Sequence, residues 1–427
     1  MESILASGTD QRIPELDVSV YQNQSSFVLS RTQSTTTCPT PVLQPTGVRT
    51  AKISIVDGNF LDLSTLSFSF KIHNTDGANG LRPCNAIPSC WFRRMLIKVN
   101  GTTVEDLNHV NRMERQIEQF VSTNKRRNWG DAGSGWETLT DAGTDALAAT
   151  IAANTSKKVT WRPLSSGFMS CGRYLPSMGG AAGGLVIELE LADLTDAVVG
   201  HTGTSTTWQI EEFQCHVDSV TLTSEMTNNF ADMLIRGESI LIPYQANDCQ
   251  KMFLTGGANQ VLSLAKQYSR LASVIVSFTD TIGAPGADNA VGSHNKEVNK
   301  FYLAQASSET VESFITVNNQ RFPQFNTTGT KHHYMRLLMG LGVWNSVSHS
   351  VNISSAGYGD GSADARQFCI MNDLETVPHA DATGIPVQGG GIVQVTALNM
   401  GAPTTAFVTS HYDAVLEIRS QGAIAYS

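Results

Sequence analysis

A few stretches carry residue types that could do chemistry. His332-His333 offers two imidazoles to a metal, but neighbours on a strand point to opposite faces, and no acidic or Cys partner stands at ligand spacing. Cys215-His216 sets a thiol beside a base and meets the same objection as a nucleophile–base pair. Asp57-Gly58-Asn59 opens like an acidic Ca²⁺ loop, lacks the later ligands, and reads as a β-turn. "SMGGAAGG", 177–184, has the glycines of a phosphate cradle. A cradle needs a strand before it and a helix after it, so that N–H groups and the helix dipole converge on the anion. Here a strand pattern follows, and the Gly-Lys-Ser/Thr ending is missing. "VQGGGIVQV" fails in the same way.

The one basic cluster, Lys125, Arg126 and Arg127 before Trp129, complements the macrodipole at the end of a helical pattern; the alternative is a polyphosphate contact. Neither HExxH nor Gly-x-Ser-x-Gly occurs. The expectation is therefore no catalytic residue, no cofactor-binding residue, no metal ligand and no cofactor, in a protein that is not an enzyme.

What must position any site is a large β-rich scaffold. At 427 residues the chain is long enough for two domains. Its hydrophobic content of 41% supplies a core, while charged residues reach only 16%, against about 25% in ordinary soluble domains. Such a surface is either inert or covered by partners. The net charge of −9 argues against a grip on nucleic acid spread over the whole protein. No run long enough to cross a membrane occurs, and the N-terminal stretch lacks the apolar core of a secretory signal. Cys38, Cys84, Cys90, Cys171, Cys215, Cys249 and Cys369 are odd in number and without CxxC, as expected of free thiols in a reducing compartment. The sequons at Asn23, Asn100, Asn154, Asn326 and Asn352 carry no meaning without a secretory route.

Period-two patterning dominates. Leu66, Phe68, Phe70 and Ile72 alternate with polar residues, as do Met95, Ile97 and Val99 before an Asn100-Gly101 turn. Leu185, Ile187, Leu189 and Leu191 share a face opposite Glu188 and Glu190. Trp208 and Ile210 start one phase, and Phe213, Cys215 and Val217 resume in the other, which marks a bulge. The spacing of Leu107, Val110, Ile117 and Phe120 predicts a helix. A second is expected over "TSEMTNNFADMLIRG", with Thr223 or Ser224 as cap and Gly237 closing it. Strands resume after it, through Val274, Val276 and Phe278 to Tyr412, Ala414, Leu416 and Ile418. Three turn-rich excursions interrupt them: "NWGDAGSGWETLTDAGTDALAATIAANTSKK", "TIGAPGADNAVGSHNKE" and "ISSAGYGDGSADAR".

The order of four segments resembles the double jelly-roll major capsid proteins of icosahedral DNA viruses, such as Polinton-like viruses, virophages and nucleocytoplasmic large DNA viruses. They are "NFLDLSTLSFSFKI" with "WFRRMLIKVNGTTVEDLNHVNRME", "GRYLPSMGGAAGGLVIELEL", "WQIEEFQCHVDSVTLTSEMTNNFA", and "RQFCIMNDLETVPHADATGIPVQGGGIVQVTALN" through "YDAVLEIRSQGAIAYS". The resemblance covers most of residues 25–427. It implies an all-β fold of two consecutive eight-stranded jelly-roll sandwiches with a few short helices. The expected division is an arm at 1–22, jelly rolls at 23–222 and 240–427, and a helical linker at 223–239. It also implies a homotrimer forming a pseudo-hexameric capsomer, neighbouring capsomers, and penton and minor capsid proteins as partners, without sequence-specific DNA binding. The chain would fold in the host cytoplasm or nucleus and reside in the virion, with loops 128–158 and 282–298 facing outward. Alternatives are a carbohydrate-binding lectin-like sandwich, an enzyme on a sandwich or cupin-like barrel, and a minor capsid or vertex protein.

Overall fold

A computed structural model describes residues 27–81, 83, 88–121, 151–177, 184–198, 204–255, 257–279, 309–344, 351, 353, 358–359, 367–376, 384–387, 391–400, 405–420 and 422–426. The expected arm, the basic cluster at 125–127, the glycines at 179–183 and the excursion at 282–298 lie outside the described residues.

Before the linker the strands are β1 (Val28–Thr37), β2 (Val42–Leu43), β3 (Thr50–Ile55), β4 (Phe60–Asn74), β5 (Gly80–Leu81), β6 (Phe92–Val99) and β7 (Thr102–Asn108). Helix α1 (Val110–Gln119) follows, then β8 (Ser156–Trp161), β9 (Tyr174–Pro176), β10 (Leu185–Leu191), the short α2 (Leu194–Ala197), β11 (Thr204–Ser205) and β12 (Trp208–Leu222). The linker helix is α3 (Ser224–Ile235). After it come β13 (Ile240–Phe253), β14 (Gln260–Leu264), β15 (Leu271–Thr279), β16 (Glu312–Val317), β17 (Gln320–Thr328) and α4 (Thr330–Gly340). The last strands are β18 (Cys369–Asp373), β19 (Val393–Leu398), β20 (Thr405–Arg419) and β21 (Gly422–Tyr426).

Among the described residues no sheet mixes strands from the two sides of α3. The first half has a sheet ordered β1-β12-β4-β8, extended by β2 and β9, and a second ordered β3-β10-β6-β7. The second half repeats this as β13-β20-β15-β18, with β21 added beside β20, and β14-β19-β16-β17. Setting aside the small added strands, each half runs first-eighth-third-sixth in one sheet and second-seventh-fourth-fifth in the other. That order is a jelly roll, and it occurs twice.

Alternation explains the sheets. In β10, Leu185, Ile187, Leu189 and Leu191 are buried while Glu188 and Glu190 are not. Ile187 stands between Ile53 of β3 and Ile97 of β6, and Leu189 between Ala51 and Met95. On the wet face Glu188 takes Lys98 at 3.2 Å and Lys52 at 3.5 Å. An aromatic cluster bolts the first half's sheets together. Phe92 of β6 stacks on Trp161 of β8 at 5.0 Å and meets Phe70 of β4 edge-on at 5.4 Å. Phe213 of β12 closes the cluster against Phe68 and Phe70, each at 5.5 Å.

The bulge expected near Phe213 is present: the β12–β4 register shifts between Glu211 and Gln214, with Glu212 at φ 50°. At α3, Thr223 Oγ1 accepts from Met226 N at 3.5 Å, Gly237 takes φ 83°, and Glu238 N donates to Met233 O at 3.0 Å, closing the helix. Three expectations are corrected. Leu107 lies in β7, and α1 starts only at Val110 after His109 turns left-handed at φ 54°. The first excursion ends earlier than expected, because β8 begins at Ser156 and pairs with β4. The third correction is α4, a helix where His332-His333 was read as strand.

Phe92→Ala empties the middle of the aromatic cluster. It is expected to cost about 3–5 kcal/mol, seen as a lower urea midpoint for the first unfolding transition with native-like far-UV dichroism before it.

Candidate assembly site: the seam between the two halves

Helix α1, "VNRMERQIEQ", is polar, yet every residue except Ile117 is buried. A polar helix is hidden this way only when it is covered on both sides and its polar groups are largely paired; Gln116 Nε2 is buried here without a hydrogen-bond partner. Val110 and Met113 join the hydrophobic core. The opposite stripe, Arg112, Gln116 and Gln119, meets the second half. The Arg112 guanidinium lies 5.1 Å over the ring of Phe407, which also takes His109 edge-on at 5.4 Å. Thr409 Oγ1 donates to Gln116 Oε1 at 2.8 Å, and the amides of Gln119 and Gln367 meet at 2.7 Å. This is why β20 is buried on both faces from Thr405 to Ser410: one face fills its own core and the other receives α1.

Two buried glutamates, Glu114 of α1 and Glu105 of β7, organise the segment 164–169. Glu114 Oε1 accepts from Leu164 N at 2.7 Å, Ser165 N at 3.0 Å and Ser165 Oγ at 2.9 Å, and its Oε2 accepts from Trp161 Nε1 at 2.9 Å. Glu105 accepts from Gly167 N at 3.1 Å, Phe168 N at 3.2 Å and the Ser166 hydroxyl. Burial pushes the Glu105 carboxyl up to about 7 although these donors pull the other way, and it raises Glu114 too. Desolvation at the seam also lowers His109 to about 4.

The segment so held presses on β13. A Cβ on Gly167 would fall inside the carbonyl of Gln245, so the two backbones touch where no side chain fits. Asn247 Nδ2 donates to Ser165 O at 2.6 Å, and its Oδ1 pairs with His411 Nδ1. Tyr244 donates to Val104 O at 3.0 Å and packs on Phe168 at 5.3 Å; burial raises its hydroxyl pKa. Thr102 Oγ1 of β7 reaches Ala423 O of β21 at 2.7 Å. The arrangement is adhesive: its strong acids and bases are spent on holding backbone.

The chemistry-bearing residues named from sequence do not meet. Cys215 is buried, its thiol pushed up to about 12 by burial, while His216 lies on the other side of β12, bonded to Ser69 at 2.8 Å and Thr35 at 3.0 Å. His333 is buried between Ser313 Oγ at 2.8 Å and Gly329 O at 2.7 Å, with His332 exposed beside it. Asp57 Oδ1 accepts from Asn59 N at 3.2 Å, a local turn. Among the described residues no cluster of three His, Cys, Asp or Glu could hold a metal. The seam residues were missed by sequence reasoning. Only Gly167, within "LSSGF", and the run of polar residues in α1 hinted at them.

No family model and no curated protein matches the sequence. Solved structures do match. PBCV-1 VP54, as fitted into a reconstruction of the virophage Sputnik, is 12% identical over 93% of this chain and 97% of that one, with TM-score 0.61. The quasi-atomic model of the PBCV-1 capsid gives 0.60 over the same shares at 12% identity. The Faustovirus major capsid protein gives 0.59 at 9% identity, over 90% of each chain. The fold is a double jelly roll. The coverage runs through both jelly rolls and the seam that joins them.

Gly167→Ala forces the two backbones apart, with a cost of at least about 2 kcal/mol; limited proteolysis should then cut near 164–169 while the individual sheets keep their dichroism. Glu105 holds a proton in the folded chain that the unfolded chain releases. Its stabilising contribution is therefore complete below pH 4.5 and is lost as pH rises through about 7. The stability difference between wild type and Glu105→Gln, followed by urea midpoints from pH 4.5 to 8, should shrink with rising pH.

Proposed function

We propose that this chain is a structural major capsid protein that trimerises into pseudo-hexameric capsomers tiling an icosahedral shell around a DNA genome. The observation that carries the reading is the pair of jelly rolls of identical strand order, locked by a polar seam, and matched over 93% of the chain by a capsid structure. Three copies present six jelly rolls, which suits a hexagonal tile. On this reading the chain works by contact alone, as a non-enzymatic wall unit whose partners are its own copies, neighbouring capsomers, and penton and minor capsid proteins. The excess of acidic residues keeps packaged DNA off the wall electrostatically. The division into an arm at 1–22, jelly rolls at 23–222 and 240–427, and a linker at 223–239 belongs to the same proposal. The carbohydrate-binding alternative gains no support from these neighbours.

Light scattering after size exclusion should give a mass near three times 46.0 kDa, with hexagonal particles in negative stain. A monomer at every salt concentration and pH would overturn the reading.

A further inference from the structure

We propose that α4 and β17 of one copy dock on the outer face of the β1-β12-β4-β8 sheet of a second copy, repeating between chains the seam that each chain contains. The proposal rests on the capsid reading and gives the contact through which its copies join.

The seam uses the α1 side of the first half and the outer sheet face of the second. Because the halves share one topology, each chain keeps, among the described residues, a second set of the same surfaces uncovered: the α4 side of the second half and the outer sheet face of the first. Helix α4 follows β17 as α1 follows β7, and each starts after a residue at positive φ, Gly329 at 76° and His109 at 54°. Counted from those caps, His332, Arg336 and Met339 stand where Arg112, Gln116 and Gln119 stand. His333 and Leu337 turn inward, as Met113 and Ile117 do. The difference is in cover. Gln116 is 2% exposed and Gln119 fully buried, whereas Met339 is 46% exposed, His332 is exposed and Arg336 is half-buried. Phe325, four residues before its cap like Glu105, is 82% exposed. An apolar ring and a Met at the centre of a polar stripe are costly to leave in water and suit a partner.

The receiving face is on the page too. Strands β12 and β20 have the same length, 15 residues, and aligning them places Gln214 at His411 and the Glu211–Glu212 bulge at Thr409, the residue that holds Gln116. Arg336, in the place of Gln116, therefore faces two carboxylates. Glu212 is paired there with Lys71, which has Lys158 of β8 opposite it on the same exposed face, while Glu211 is held only by the neutral amide of Gln209 at 2.6 Å and is the carboxylate offered to Arg336. Gln33 and Thr35 of β1, both exposed, complete the surface. Two complementary surfaces on one molecule make a heterologous contact, which builds a ring when its rotation closes.

The test compares wild type, Arg336→Glu, Phe325→Asp, and the charge swap Arg336→Glu with Glu211→Arg and Glu212→Arg, each by light scattering over a dilution series, with far-UV dichroism as a check on folding. Like charges set across the contact weaken association by roughly tenfold or more, so Arg336→Glu should dissociate at correspondingly higher concentration. Phe325→Asp should do the same, and the swap should restore the trimer. A wild-type chain that never trimerises sinks the capsid reading and this contact together. A wild-type trimer unmoved by Arg336→Glu and Phe325→Asp overturns this contact alone, and a swap that fails to restore association overturns the receiving face.

Discussion

Everything at the seam depends on two carboxylates placed where water cannot reach them. Taking a carboxylate out of water costs several kcal/mol unless donors replace the lost solvent. Glu105 and Glu114 recruit those donors from the backbone amides of Leu164, Ser165, Gly167 and Phe168, in a stretch with no regular structure of its own. The same bonds that satisfy the acids fix the path of that backbone. Only because the path is fixed can Gly167 rest against Gln245, and only then does Asn247 reach its acceptor, the Ser165 carbonyl.

The composition makes sense in this light. A protein whose main internal joint is built from Gln116, Thr409, Asn247, Ser165 and Gln367 has little use for surface charge, since each uncharged pair is cheaper to desolvate than an ion pair. The price of that economy is geometric: neutral hydrogen bonds act only at contact distance, so the joint requires close fit where ion pairs would tolerate error.

Much of the fold was legible because alternation is a local signal. Leu185 to Leu191, the phase slip at Phe213, and the Thr223 cap with its Gly237 stop all report their structure within a few residues. The failures came where tertiary contacts override local pattern. In β7, Glu105 occupies an inward-looking site that alternation assigns to an apolar residue, so the strand lost its signature and Leu107 was absorbed into the following helix. Helix α4 starts at Gly329, without a Ser, Thr, Asp or Asn cap, and buries His333, so neither its start nor its inner face looked helical. The seam was invisible for a third reason. The acceptors in Glu105 and their donors in 166–168 are about sixty residues apart, and no spacing rule links them.

The strand order also dictates when each half can become itself. In both sheets that carry the ends of a jelly roll, the opening strand has the closing strand as its neighbour: Val28 pairs with Leu222, and Ile240 with Ile418. A chain leaving the ribosome therefore holds β1 without a partner until β12 emerges, and then holds β13 in the same position until β20 arrives. Long-range pairing of this kind is slow, and it leaves strand edges open to foreign chains in the meantime. The first half completes before the second has been made, and it waits with α1 and the 164–169 segment bare. Newly made copies crowded together thus pass through a stage in which the best available cover for one half is the outer sheet of somebody else's. That is a hazard of misjoining which only prompt arrival of β13 and β20 from the same chain removes.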